Sequence, residues 1–92
     1  MACNFNILVT KTGEYICLKL NGDFDGSSAC ELVNLLNDGE LFKSSKIMVN
    51  TDSLKHVYPF GLNILHHRLH EVKSRRFPLI FTGKMSGQFA AG

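Results

Sequence analysis

Val49-Asn50-Thr51-Asp52-Ser53-Leu54-Lys55-His56-Val57-Tyr58-Pro59-Phe60-Gly61-Leu62 lies between two different hydrophobic periods. On its N-terminal side, Lys46 to Val49 reads as a short strand. On its C-terminal side, Leu62, Leu65, Leu69 and Val72 recur at helical spacing and form one apolar stripe. Pro59 marks the start of that helix, since proline at the first helical position gives up an N–H that would have no partner within the helix. The stretch from Thr51 to Val57 then reads as the connection between strand and helix. Lys73-Ser74-Arg75-Arg76 places positive charge at the helix C-terminus, where the macrodipole favours it.

The pattern extends outward in both directions. Phe5 to Thr10 alternates, with Phe5, Ile7 and Val9 on one face, and Tyr15 to Leu20 alternates again, with Ile16, Leu18 and Leu20 on one face. Lys11-Thr12-Gly13-Glu14 supplies the turn, so the two runs form an antiparallel hairpin. Asn21 to Gly26 reads as a loop. Ser28-Ala29-Cys30-Glu31 matches a capping box, and Ala29, Leu32, Val33 and Leu36 follow at helical spacing. Asn37-Asp38-Gly39 ends that helix, with Gly39 suited to a left-handed cap. Phe77 to Thr82 is a last strand with Pro78 near its start, and Gly83 ends it. Lys84 to Gly92 has room for a turn or two. The predicted class is α/β: a four-stranded mixed sheet in the order β-β-α-β-α-β. Crossovers through helices make the later pairings parallel and put both helices on one face.

Composition bounds what such a chain does. Its 92 residues fit a single domain, 1–92, and 45% hydrophobic with 20% charged residues excludes wholesale disorder. No apolar run approaches the roughly 20 residues of a membrane-spanning helix. Met1 to Asn6 shows no basic segment followed by an apolar one, so no signal peptide is expected. Cys3, Cys17 and Cys30 are odd in number and form no C-x-x-C pair, which argues against a disulfide framework or zinc ribbon and for a reducing cytoplasm. The net charge is +2, but residues 1–54 hold four Lys against seven acids, and residues 55–92 hold six Lys or Arg against Glu71. One basic helix with a solvated face accounts for that asymmetry.

The stretch 49–62 resembles the central signature of STAS domains (sulfate transporter and anti-sigma-factor antagonist). In that family a strand ends in an Asp-Leu-Ser-like triplet, a short loop follows, and Asp-Ser-Ser-Gly-Leu opens a helix. Here Asn50 stands in place of the first Asp, and Gly61-Leu62 in place of the Gly-Leu. Asn21-Gly22-Asp23-Phe24-Asp25 is similar to the family's Gly-x-Leu-Asp loop, and Leu79-Ile80-Phe81-Thr82-Gly83 to its Leu-x-Leu-x-Gly strand. The likeness covers roughly residues 5–83 and departs at one place that matters. Bacterial anti-sigma-factor antagonists carry a serine that a partner kinase phosphorylates, and Tyr58-Pro59-Phe60-Gly61 occupies that stretch here. Neither Pro59 nor Phe60 has a hydroxyl. The resemblance therefore implies a degenerate STAS module without the serine phospho-switch.

The chemistry-bearing residues support a binding role over a catalytic one. No Ser, His and carboxylate set appears at recognisable spacing, and neither G-x-x-x-x-G-K nor G-x-G-x-x-G occurs, so no enzyme and no cofactor are expected. His66 and His70 stand one helical turn apart and are the weak metal candidates; His67 points about 100° away from His66, and Lys73 repels a cation. Asp23-Phe24-Asp25-Gly26 starts like a calcium loop, but its glycine comes too early and Asn34 falls where the bidentate Glu should be. Arg68, Lys73, Arg75 and Arg76 lack aromatic interleaving, so nucleic acid is not the expected partner. The expected function is a regulatory protein–protein interaction module. Its expected contact residues are Asp23, Phe24, Asp25, Tyr58, Pro59, Phe60 and Gly61, and its partner an anti-sigma-type kinase, a transporter component or a second copy. The competing reading is a metal- or anion-binding domain that uses the His- and Arg-rich second helix.

Overall fold

The structure, a computed structural model, describes residues 4–37, 46–69 and 79–90. It opens on two strands, β1 (Asn6–Thr12) and β2 (Tyr15–Phe24), that pair antiparallel around a tight turn. Gly13 makes that turn with φ at 54°, a left-handed conformation that costs glycine little. Helix α1 (Gly26–Leu36) follows, then β3 (Lys46–Val57), helix α2 (Pro59–Leu69), β4 (Leu79–Thr82) and the short helix α3 (Ser86–Ala90). The sheet order is β1-β2-β3-β4, with β2–β3 and β3–β4 parallel. The expected four-stranded mixed α/β sheet is therefore present.

Register decides which side chains meet the helices. Ile16 and Leu18 of β2 sit beside Ile47 and Val49 of β3, which sit beside Leu79 and Phe81 of β4. The buried residues of this face form one core with Ala29, Leu32, Val33 and Leu36 of α1, Leu65 of α2 and Phe89 of α3. All three helices therefore cover the same face. The cover stops short of β1: Ile7 packs against the core, whereas Val9 on the same face is 42% exposed. The opposite face carries the row Thr10, Cys17, Met48 and Ile80 across all four strands.

Three expectations are corrected. Thr51 to Val57 is not a connection but the second half of β3, and Asn21 to Phe24 is not a loop but the end of β2; the two extensions pair with each other. Register shifts between Lys19 and Asn21 and between Gly22 and Asp23 let irregular sequence stay in the ladder. The third correction concerns α1. Its N-cap is Asp25, whose carboxylate accepts the Ser28 N–H at 3.0 Å, so the helix begins at Gly26. Ser28 is not the cap but a buried residue inside the first turn, its hydroxyl shared between the Asp23 carbonyl and Asp25 Oδ1, both at 3.0 Å. At the other end Asn37, in right-handed helical conformation, closes α1 through its N–H. The Gly39 cap, Val72, the basic cluster 73–76 and the segment 77–78 lie outside the described residues.

Candidate functional site

The junction between β3 and α2 meets the junction between β2 and α1. Tyr58 links β3 to α2: its N–H donates to the Phe24 carbonyl at 2.9 Å, and its own carbonyl accepts the Leu62 N–H at 3.2 Å. Gly61 explains how the two junctions come so close. A Cβ at that position would lie 2.7 Å from the Asp25 carbonyl oxygen, so a side chain there would force the helix away. Gly26 plays the reciprocal role. A Cβ on it would lie 3.0 Å from a Phe60 ring carbon and 3.1 Å from Ile64 Cδ1, so the bare glycine is the seat for both side chains.

Two of the expected contact residues stand out into solvent: Tyr58 is 48% exposed and Phe60 68%. Pro59 is exposed beside them, and Asp23 and Asp25 are half-buried on the neighbouring junction. Phe24 requires correction as a contact residue. It is 0% exposed, its ring lying edge-on to Phe5 at 5.9 Å and to Phe89 at 4.9 Å, so it anchors the core. Gly61 is buried too and serves the junction as the point of close approach.

The electrostatics of the site centre on two carboxylates. Asp25 accepts the Ser28 backbone N–H and the Ser27 and Ser28 hydroxyls, each at 3.0 Å. The backbone hydrogen bond is the largest cause holding its carboxyl below the ordinary 3.8. Asp23 lies 2.9 Å from Nδ1 of His56, and the His56 and Tyr58 rings are 6.4 Å apart. His56 is the residue that sequence reasoning missed. Its partner is 33 positions away, and the register shifts of β2 and β3 that align them leave no local signal.

The metal reading gains little from this geometry. His66 Nε2 lies 2.7 Å from the Phe89 carbonyl and donates to it, fixing α3 against α2. His70 lies outside the described residues. Among the described residues, no three His, Cys, Asp or Glu side chains group closely enough to hold an ion. None of the described helices is long and apolar enough to cross a membrane.

No protein-family profile matches the chain, and no curated protein sequence does. Solved structures do match. The anti-sigma factor antagonist SpoIIAA in its unphosphorylated form superposes with a TM-score of 0.60 at 17% identity, covering 96% of this chain and 83% of SpoIIAA. A DUF3478 protein with a SpoIIAA-like fold from Shewanella loihica PV-4 gives 0.57 at 13% identity, covering 88% of this chain and 67% of that one. Mglu gives 0.65 at 14% identity over 80% of this chain, which spans only 18% of the length of Mglu. At such identities the likeness speaks for the fold alone. The strand order, the one-sided helical layer and the superposition on SpoIIAA agree: this chain has a STAS-like fold.

Proposed function

We propose that the chain is a non-catalytic, regulatory protein–protein interaction module of the bacterial cytoplasm, lacking the serine phospho-switch of anti-sigma-factor antagonists. The carrying observation is the pair of exposed aromatic side chains, Tyr58 and Phe60, at the start of α2. Large aromatic side chains are costly to leave in water and are typical anchors of interfaces. They stand on a close junction, Gly61 against Asp25, so little conformational freedom is lost when a partner docks. Asp23 with His56 forms the polar margin of the same face. Neither Pro59 nor Phe60 has a side-chain hydroxyl, so the serine switch of anti-sigma-factor antagonists has no acceptor at these two positions. Its partner is an anti-sigma-type kinase, a transporter component or a second copy of the chain.

The test uses the immobilised chain and an extract of its native cells. Tyr58→Ala should leave the melting temperature unchanged, because an exposed ring leaves no cavity. It should weaken capture by the roughly 1–3 kcal/mol of an interface hot spot. Unchanged capture removes Tyr58 from the face, and a large drop in melting temperature assigns the ring to the core instead.

A further inference from the structure

We infer that a groove along α2 receives an apolar, carboxylate-bearing segment of a partner protein. This rests on the interaction-module reading above and specifies the partner's chemistry. The groove has a volume of about 370 Å3 and is lined by Asn63, Ile64, His67 and Arg68. Phe60 stands one helical turn before Ile64, and both side chains rest over Gly26 of α1. Ile64, with Phe60 just beyond the groove, gives its N-terminal end an apolar side beside Asn63, and Arg68 makes its C-terminal end basic.

The basic end selects the occupant. Arg68 Nη1 donates to Cys30 Sγ at 3.7 Å, and a thiol sulfur is a weak acceptor. Among the described residues no carboxylate oxygen lies within bonding distance of Arg68. Glu31, next to Cys30 on α1, is exposed and makes no ion pair with it. The described α2 carries no Asp or Glu. A guanidinium has five donors in a planar fork that fits a carboxylate bidentately. Exposed His67 adds a further donor at the same end. An amphipathic helix or turn fits both ends, with an apolar side chain on Phe60 and Ile64 and a carboxylate on Arg68.

The test is fluorescence anisotropy at low salt with the intact chain and two labelled helical peptides. Both carry Leu at i, i+3, i+4 and i+7; one has Glu on its flanks and the other Lys. The Glu peptide should bind about tenfold tighter or more, the scale of a charge-assisted hydrogen bond. Arg68→Glu should reverse the preference, which a merely structural loss does not do. Should Arg68→Glu fail to fold by circular dichroism, His67→Glu, on an exposed side chain, should weaken the preference in the same direction. Equal binding of the two peptides, or preference for Lys, overturns the inference. Concentration-dependent dimerisation abolished by Ile64→Glu overturns it in favour of a second copy. Tyr58-dependent capture from extract without any charge preference overturns the acidic occupant and leaves the interaction face standing. Reversed preference without Tyr58-dependent capture supports the groove and removes the Tyr58 face.

Discussion

A single methyl group at position 61 would separate the two junctions that carry the site. The Asp25 carbonyl would lie 2.7 Å from it, and this neighbour is backbone, which yields less easily than a side-chain tip. Gly61→Ala is expected to destabilise the fold by about 1–3 kcal/mol, the cost of overpacking, read as a lower urea midpoint. An unchanged midpoint would mean that α2 backs away from Asp25 freely. Asp25 itself links stability to pH. Its folded-state pKa is depressed, so its contribution is fully present above the ordinary 3.8 and is lost as pH falls through the lower folded value. The difference in midpoint between wild type and Asp25→Asn should be flat near neutrality and shrink on acidification below 3.8. A difference independent of pH would detach the carboxylate's charge from the cap.

At the scale of the elements, α2 is held by its inward side. Leu65 is wholly buried between α2 and the sheet, whereas Leu62 and Leu69 are partly buried. Leu65→Ala should cost about 2–5 kcal/mol through lost burial and a residual cavity. Melting within a degree or two of wild type would contradict that orientation. The stripe that placed Leu65 was legible because helical spacing is regular over Leu62, Leu65 and Leu69. The second half of β3 was not legible for the opposite reason. Its inward residues are Ile47, Val49 and Thr51 at period two, but then Leu54 and Val57 at intervals of three. Bulged pairing absorbs the extra residues, and no strand template has that period. In β2 the buried residues keep period two from Ile16 to Phe24, and Phe24 was hidden by its neighbours instead. Its partners Phe5 and Phe89 are remote in sequence, and between two aspartates it reads as belonging to a polar loop. Tyr58 and Phe60 were legible as contact candidates from their place in the STAS-like stretch, but their exposure and the meeting of His56 with Asp23 required the sheet.

At the scale of the whole molecule, the described helices all lie on one face of the sheet, the face that holds the core. The site lies at the end of the sheet where β2 and β3 run beyond β4, whose pairing with β3 covers Ile47 to Asn50. Thr51 and Asp52 turn the chain's last described segment back onto that end. The Thr51 hydroxyl donates to the Thr82 carbonyl at 2.8 Å, and Asp52 Oδ1 accepts the Lys84 N–H at 2.9 Å. The described strands also lie side by side in the order in which they occur in the chain. That order has a consequence for how the protein is made. As the polypeptide leaves the ribosome, β1 and β2 close a hairpin from local contacts alone, the fastest kind of pairing to form. The edge of β2 is then open when β3 emerges, and the edge of β3 when β4 does. Each new strand docks on the one before it, and none has to force its way between neighbours that are already joined.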